Sequence, residues 1–197
     1  MQTADPATEN LRRFLQGTGA IAPAQAAEIA KQFTRKTLAR HEVFLSPGTV
    51  SDEYFFLDCG CLRAFVHDTD GNDVTTGFHT PGGVVFEVAS FFTRTPAREC
   101  IQALADCEGW CLTHAQLNGL FHARTEFREF GRAVLVRGYA ALKARMLAAI
   151  TEPAAQRYEH LLRHNAEILQ HAPLKTVASY LGITDTSLSR IRKGSKK

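Results

Sequence analysis

The sequence has no long run of apolar residues. No uninterrupted stretch approaches the roughly 20 residues that a membrane-spanning helix requires. The first ten residues also lack the basic segment followed by an apolar one that marks a secretory signal. Apolar residues make up 45% of the chain and charged residues 22%, values typical of a folded globular protein. We therefore expect a cytoplasmic protein with a packed core and no membrane partner.

Cysteine is scarce and irregularly placed. An odd number of cysteines without regular spacing excludes a secreted disulfide scaffold. Neither of the two close pairs has the two-residue spacing that is typical of zinc knuckles. We interpret the cysteines as reduced, small, buried side chains, with a metal or redox site as the alternative. The five residues are Cys59, Cys61, Cys100, Cys107 and Cys111.

Motifs for catalysis and cofactor binding are missing as well. The chain has no nucleophile elbow, no Walker loop and no paired carboxylates in a supporting context. We therefore predict that it is not an enzyme, and we assign no cofactor. His160 and His164 are spaced i, i+4, which would let them clamp a metal from one helix face. Such pairs are usually surface polar residues, so we predict no metal site.

Net positive charge is absent from the body of the chain and present at its end. From Thr151 onward there are eight basic and four acidic residues, a net charge of +4. The whole chain carries +3, which leaves −1 for residues 1–150. A basic end on a nearly neutral body indicates an electrostatic partner such as the nucleic-acid backbone. A solvated basic terminus is the alternative.

Helical and β-rich patterns alternate along the first half of the chain. Apolar spacing in residues 9–40 predicts two short helices. From His41 to about Leu112 the chain is rich in Val, Phe, Tyr and Thr, with turn signals at intervals of about 10 to 12 residues. This pattern predicts an antiparallel roll or barrel. The clearest hairpin joins 62–67 to 74–79 through an Asp-Gly turn.

A long helical segment follows the β-rich region. Thr113 is a good N-cap, and the helical pattern then continues to Ile150. The segment has two apolar stripes, which need two partners. We predict that one packs on the roll and the other meets a second copy of the helix in a homodimer; a helix docked only on its own domain is the alternative. The stripe with coiled-coil spacing is Leu135, Tyr139, Leu142, Met146 and Ala149. The neighbouring stripe is Phe127, Phe130, Val134, Gly138, Ala141 and Ala148.

The final segment begins with a short helix and a glycine turn. Four apolar residues fall at i, i+3, i+4 and i+7, the buried stripe of a short helix that Pro173 can start. Gly182 then supplies a left-handed turn residue, and Ile183 fills the angle between this helix and the next. The four apolar residues are Leu174, Val177, Ala178 and Leu181.

A second short helix follows the turn. Thr184 is a good N-cap, and Leu188 and Ile191 are spaced to point inward. The opposite face is polar and basic, so the unit is predicted to be a helix-turn-helix rather than an ordinary helical hairpin. The residues left exposed are Asp185, Thr186, Ser189, Arg190 and Lys193.

These features resemble those of the Crp/Fnr family of bacterial transcription regulators, over roughly residues 9–193. The motifs that carry the resemblance are Ser46-Pro47-Gly48, Tyr54-Phe55-Phe56-Leu57, Gly60-Cys61-Leu62-Arg63, Leu181-Gly182-Ile183-Thr184 and Ser187-Leu188-Ser189-Arg190-Ile191-Arg192-Lys193. The resemblance implies an α+β fold in three parts. These are a cyclic-nucleotide-binding-like double-stranded β-helix (jelly-roll) sensor domain over 1–112, a long dimerisation helix over 113–150 and a winged-helix-like helix-turn-helix domain over 151–197.

The resemblance also implies a candidate ligand pocket. Cyclic-nucleotide-binding members of the family carry a Gly-Glu pair and, about ten residues later, an Arg-Ser or Arg-Thr pair that holds the cyclic phosphate. Here Glu87 could accept from a ribose hydroxyl and Arg98 could meet a phosphate, but Phe86 replaces the glycine and Glu99 adds a negative charge. We therefore expect no cyclic AMP response, and the effector stays unidentified. The N-terminal cysteine cluster of iron–sulfur members is absent, since the first cysteine is Cys59.

The predicted partner is double-stranded DNA, bound by the homodimer at a palindromic operator. Base edges would be read by Thr186, Ser189 and Arg190, with Arg190 the best candidate for a bidentate contact to guanine. Lys193 completes the DNA-binding set. Phosphates would be held by Lys175, Thr184, Ser187, Arg192 and the terminal Lys196 and Lys197. The alternative function is a small-ligand sensor that acts through protein contacts with a degenerate helix-turn-helix, which the carboxylate of Asp185 would favour.

Overall fold

The computed structural model describes residues 8–194, within which the chain forms nine helices and eight strands. The helices are α1 (Glu9–Gln16), α2 (Pro23–Ala30), α3 (Val88–Thr93), α4 (His114–Ala123), α5 (Thr125–Thr151), α6 (Ala154–Asn165), α7 (Ile168–His171), α8 (Leu174–Tyr180) and α9 (Asp185–Gly194). The strands are β1 (Thr34–Leu38), β2 (Val43–Leu45), β3 (Glu53–Cys59), β4 (Leu62–His67), β5 (Asp73–His79), β6 (Val84–Val85), β7 (Cys100–Ala103) and β8 (Cys107–Thr113). None of the helices in this range is both long and apolar enough to span a membrane.

The strands form two four-stranded antiparallel sheets, which confirms the predicted antiparallel roll. The strand orders are β1-β8-β3-β6 and β2-β7-β4-β5. Side chains alternate along β3, so that Phe55 and Leu57 enter the core between the sheets while Tyr54 and Phe56 face outward. The two sheets thus share an apolar interior, and the first sheet has a second apolar face to cover.

Helices α1, α2 and α4 and the start of α5 cover that second face. The ring of Phe14 on α1 stacks on Phe56 with centroids 4.9 Å apart, and it meets Phe130 of α5 edge-on at 5.2 Å. Each fully buried aromatic side chain contributes roughly 1.5–3 kcal/mol by leaving water. The two predicted N-terminal helices are confirmed, and their apolar residues lie in this layer.

The predicted hairpin between β4 and β5 is confirmed, and it contains a bulge. Gly71 in its loop has a φ of +79°, a value that glycine adopts without steric cost. Asp68 accepts hydrogen bonds from the backbone N–H groups of Asp70 and Asn72, and these bonds lower the pKa of its carboxyl. The pairing register shifts on β5 so that Thr76 has no partner on β4.

Two stretches differ from their predicted structure. Strand β1 lies inside residues 9–40, which were predicted to be helical, because residues Thr34–Leu38 pair with β8. The segment 113–150 contains two helices rather than one, since Arg124 is extended with a φ of −133° and a ψ of 114°. This break lets α4 and α5 both place apolar residues in the layer over the first sheet. The predicted N-cap at Thr113 is confirmed, as its hydroxyl accepts from the N–H of Gln116.

The two halves of α5 have different surroundings. Phe127 and Phe130 near its start are buried against the roll. From Leu135 onward both predicted stripes are solvent-facing in the single chain except at the half-buried Ala148. Tyr139 and Ile150 are 70% and 75% exposed. The other large exposed residues of this half are Val136, Leu142, Met146 and Leu147.

Helices α6 to α9 form a small apolar cluster of their own. Tyr158, Leu161, Ile168, Val177 and Leu188 are buried in it. The cluster also contacts the β-roll through Phe78 and Leu104. Within residues 8–194 no strand follows β8, so the described part of the C-terminal region does not contain the wing expected of a winged-helix-like domain.

Candidate functional site

The turn between α8 and α9 ends the first helix with two backbone hydrogen bonds. Gly182 has a φ of +66°, which is the left-handed conformation that glycine favours. Its N–H donates to the carbonyl of Ser179, and the N–H of Ile183 donates to the carbonyl of Ala178, both at 3.0 Å. These bonds form a Schellman motif. The predicted role of Gly182 is confirmed, and Ile183 is partly buried between the helices as expected.

Thr184 caps the second helix. Its hydroxyl accepts from the backbone N–H of Ser187 at 3.2 Å, so it satisfies one of the N–H groups that a helix leaves free at its start. The hydroxyl also contacts the hydroxyls of Thr186 at 2.9 Å and Ser187 at 3.0 Å. Local side-chain chemistry therefore determines where α9 begins.

Helix α9 has one buried side and one exposed side. Leu188 is fully buried against α8, whose Val177 and Ala178 are also buried. Asp185, Thr186, Ser189, Arg190 and Lys193 are exposed, while Ser187 and Arg192 are half-buried. Within residues 8–194, the side chains of Ser189, Arg190, Arg192 and Lys193 have no hydrogen bond or ion pair. The exposed side is thus basic and free to contact a partner.

Some predicted positions lie elsewhere or differ in burial. Leu174 was expected in the buried stripe of α8, but it is 38% exposed because it occupies the first position of the helix. Lys175 is exposed on the next position. Lys196 and Lys197 lie outside the described residues.

Arg157 of α6 connects the long helix to the turn. Its guanidinium donates to the carbonyl of Glu152 at 2.6 Å and to the carbonyl of Leu181 at 2.7 Å. Glu152 is the C-cap residue of α5, and Leu181 is the C-cap residue of α8. A cation at the end of a helix is favourable because carbonyl groups are left without partners there. The sequence analysis missed this residue, because its two acceptors come from separate elements.

The predicted ligand pocket opens beside α3, a helix that the sequence analysis did not predict. Glu87 caps this helix: its two carboxylate oxygens accept from the N–H groups of Ala89 at 3.1 Å and Ser90 at 2.6 Å. A carboxylate therefore already occupies the N–H groups at the start of α3. An anionic ligand at this position would have to compete with it.

A hydroxyl on α3 and the guanidinium of the residue that follows it are also hydrogen-bonded within the chain. The Ser90 hydroxyl is buried; it accepts from the N–H of Ser51 at 2.8 Å and donates to the carbonyl of Thr95 at 2.6 Å. Arg94 lies in the left-handed region with a φ of 57°, and it donates to the carbonyl of Ser51. These bonds hold α3 on the loop that precedes β3.

The pocket has a volume of about 680 Å³. Arg98 is exposed at its edge and Glu99 is half-buried next to it, so a positive and a negative group lie side by side. Val66 and His67 of β4 also line the pocket. The structure thus brings Glu87 and Arg98 to one pocket, although Glu87 is turned to the helix amides.

Four of the five cysteines are buried, in keeping with the role of small core side chains. Cys61, Cys100, Cys107 and Cys111 are buried and Cys59 is exposed, and none forms a disulfide. Burial raises the pKa of the Cys61 and Cys111 thiols to about 12, which makes the reactive thiolate rare at neutral pH. No group of three or more His, Cys, Asp or Glu residues within 8–194 is arranged to hold a metal ion.

Comparisons with known proteins agree with the β-roll. Residues 35–124 match the family model of the cyclic nucleotide-binding domain, so this part of the chain is similar to that domain. No curated protein sequence matches the chain.

Three solved structures illustrate the similarity of fold. FixK2 from Bradyrhizobium japonicum has a TM-score of 0.70 and 17% identity, over 82% of this chain and 83% of that one. The c-di-GMP responsive global regulator CLP of Xanthomonas campestris has a TM-score of 0.65 and 15% identity, over 84% and 87%. A protein from Eubacterium rectale described as a transcriptional regulator of the Crp/Fnr family has a TM-score of 0.68 and 12% identity, over 93% and 88%. The chain shares the fold of Crp/Fnr-type transcription regulators.

Proposed function

We propose that this protein is a homodimeric transcription regulator that binds a palindromic DNA site in a sequence-specific manner. The observation that carries the proposal is the exposed side of α9, where Ser189, Arg190 and Lys193 have no partner within residues 8–194. The C-terminal net charge and the fold shared with Crp/Fnr-type regulators support the same conclusion.

The proposed contacts divide along α9 and α8. Thr186, Ser189 and Arg190 lie on the exposed side within the first two turns, where a recognition helix meets the floor of the major groove. Arg190 would make a bidentate contact to guanine. Phosphate contacts come from Lys175, Thr184, Ser187, Arg192 and Lys193, with Lys196 and Lys197 following.

The proposed dimer uses the second half of α5. Leu135, Tyr139, Leu142 and Met146 follow coiled-coil spacing, and all four are exposed in the single chain. Such a stripe is unusual on the surface of a monomer. Pairing of two copies would cover it and would place two α9 helices on half-sites about one helical turn apart, roughly 34 Å.

The effector of the β-roll is proposed to be something other than cyclic AMP. The helix amides of α3 are capped by Glu87, and Glu99 lies beside Arg98 in the pocket. A phosphate would therefore meet two carboxylates at the place where it needs donors. Calorimetric titration with cyclic AMP should give no binding at micromolar concentration, and micromolar affinity would refute this part of the proposal.

The central experiment is selection of bound sequences from a genomic DNA library with the purified protein. The expected result is an inverted repeat, and sedimentation should show a dimer for the natural chain and a monomer for Leu142→Asp. A natural chain that is monomeric at micromolar concentration would contradict the α5 interface.

The second candidate function is a small-ligand sensor that acts through protein contacts. The exposed carboxylate of Asp185 at the start of α9 favours it, because this group repels phosphate. Binding to random genomic fragments distinguishes the two functions. A salt-dependent shift supports the DNA-binding regulator, whereas its absence at low salt supports the second function.

A further inference from the structure

Helix α8 covers the free edge of the second β-sheet. Strand β5 is the last strand of that sheet, and an edge strand has backbone groups without partners. The hydroxyl of Ser179 accepts from the N–H of Thr75 at 2.9 Å and donates to the carbonyl of Asp73 at 3.2 Å. One side chain of the helix-turn-helix thus satisfies two edge groups of the sensor domain.

The next residue of α8 lies between β5 and the long helix. The ring of Tyr180 is 5.1 Å from the ring of Phe78 on β5. The guanidinium of Arg145 on α5 lies over the same ring at 5.0 Å from its centroid. Arg145 also donates to the carbonyl of Thr76, the bulged residue of β5. Tyr180 therefore contacts both the sensor domain and the proposed dimer helix.

Strand β5 also has a polar connection to the pocket. The carboxylate of Asp73 accepts from Arg63 at 2.9 Å and lies 3.3 Å from Nε2 of His67. His67 forms part of the pocket wall. The Nε of Arg63 donates to the hydroxyl of Thr75 at 3.0 Å, and Arg63 is buried. Asp73, whose carbonyl accepts from Ser179, thus contacts the pocket wall at His67 through its carboxylate, whereas the side chain of Thr75 contacts Arg63.

We propose that Ser179 and Tyr180 are positioning residues that fix the orientation of α9 by attaching α8 to β5. In this attached arrangement Val177 and Ala178 of α8 are buried, and the polar side of α9 is exposed. It is therefore the arrangement in which α9 can contact DNA. This inference rests on the proposed DNA-binding function. A helix-turn-helix that is held in place loses less conformational freedom on binding.

The test compares three variants. Ser179→Ala removes both hydrogen bonds to β5, and Arg145→Gln removes the cation from the ring of Tyr180 and provides a second variant at an exposed position. Thr76→Val is the matched control: it lies on the same strand, is similar in shape, and loses a buried hydroxyl that has no hydrogen bond within residues 8–194. The readouts are amide hydrogen exchange of Thr75 in the full-length protein and DNA affinity with a base-by-base profile.

We expect Ser179→Ala to speed exchange at Thr75 and to weaken DNA binding roughly two- to tenfold, which corresponds to the net contribution of about one hydrogen bond. Apparent affinity falls in proportion to the population of the attached arrangement. Arg145→Gln should weaken binding in the same direction, while Thr76→Val should change neither exchange nor affinity. The base preference should be the same in all variants, since α9 itself is unchanged.

Each other outcome has a distinct meaning. Unchanged exchange at Thr75 in Ser179→Ala would overturn the attachment, whatever the DNA measurement gives. Faster exchange with equal or higher DNA affinity would overturn the positioning role and leave the proposed function in place. If the natural chain binds no DNA, the proposed function fails, and with it the positioning role, while the exchange experiment still tests the attachment alone.

Discussion

Helix α3 and helix α9 use their polar side chains in opposite ways. At α3, the carboxylate of Glu87 and the hydroxyl of Ser90 are hydrogen-bonded to backbone groups of the same chain. On α9, Ser189, Arg190 and Lys193 are exposed, and their side chains have no partner within residues 8–194. The first group shapes the wall of the pocket, and the second group faces solvent.

The difference indicates what substitution will change in each region. Removing one partner of a buried hydrogen bond leaves the other without a partner, which lowers the free energy of unfolding. Substitution of an exposed residue that makes no contacts changes the free energy of unfolding little. We therefore expect substitutions at α3 to alter stability and substitutions on α9 to alter DNA binding.

The largest effect is expected for Arg190→Ala. Loss of a bidentate contact to guanine should weaken binding to the preferred site by about 1–3 kcal/mol, or roughly 5- to 150-fold. Discrimination should disappear at one base position in each half-site, and the free energy of unfolding should change by less than about 0.5 kcal/mol. A base-by-base binding profile and chemical denaturation measure the two quantities. A uniform loss at all base positions would show that Arg190 does not read a base.

Ser90→Ala should have the opposite pattern. It leaves the N–H of Ser51 and the carbonyl of Thr95 without their buried partner, which should lower the free energy of unfolding by about 1–3 kcal/mol. The base preference of the folded protein should be unchanged. Denaturation by urea gives the first value, and the binding profile at a temperature where the variant is folded gives the second. Altered base preference would link α3 directly to DNA reading.

The pH dependence of stability tests another internal polar group, His79 at the end of β5. Burial lowers its pKa to about 4, so below pH 6.5 the unfolded chain binds a proton that the folded chain does not. Protonation of His79 therefore favours the unfolded chain, and the free energy of unfolding falls by about 2–3 kcal/mol as the pH decreases from 6.5 toward 4. Above pH 6.5 the histidine is neutral in both states and this effect is absent. His79→Gln should flatten the stability curve in this interval. An unchanged curve would contradict the lowered pKa.

The smallest effect is expected for Lys193→Ala, the companion of Arg190→Ala on α9. Loss of a phosphate contact should weaken binding to all sequences by a similar factor and leave the base profile intact. The slope of log affinity against log salt should fall by about one unit per lost contact in each subunit. If Lys193→Ala and Arg190→Ala give the same profile, α9 does not act as a recognition helix.

Nearest-neighbour chemistry made the local features predictable. Gly182 adopts a positive φ, Thr184 caps α9 with its own hydroxyl, and an Asp-Gly pair forms the loop between β4 and β5. Each feature involves residues within a few positions of one another, so its pattern is visible in a short window of sequence. The antiparallel roll was predictable for the same reason, from the regular alternation of strands and turns.

Tertiary structure decided the features that join distant residues. Pairing with β8 makes a strand of Thr34–Leu38, and the shared core over the first sheet separates α4 from α5 at Arg124. Ser179 meets Thr75 across 104 positions of sequence, and Arg157 meets Leu181 across 24. A serine or an arginine has the same local pattern whether or not such an acceptor is near. The exposed polar side of α9 was therefore readable from the sequence by itself, whereas the residues that hold α8 on the β-roll required both elements to be placed in space.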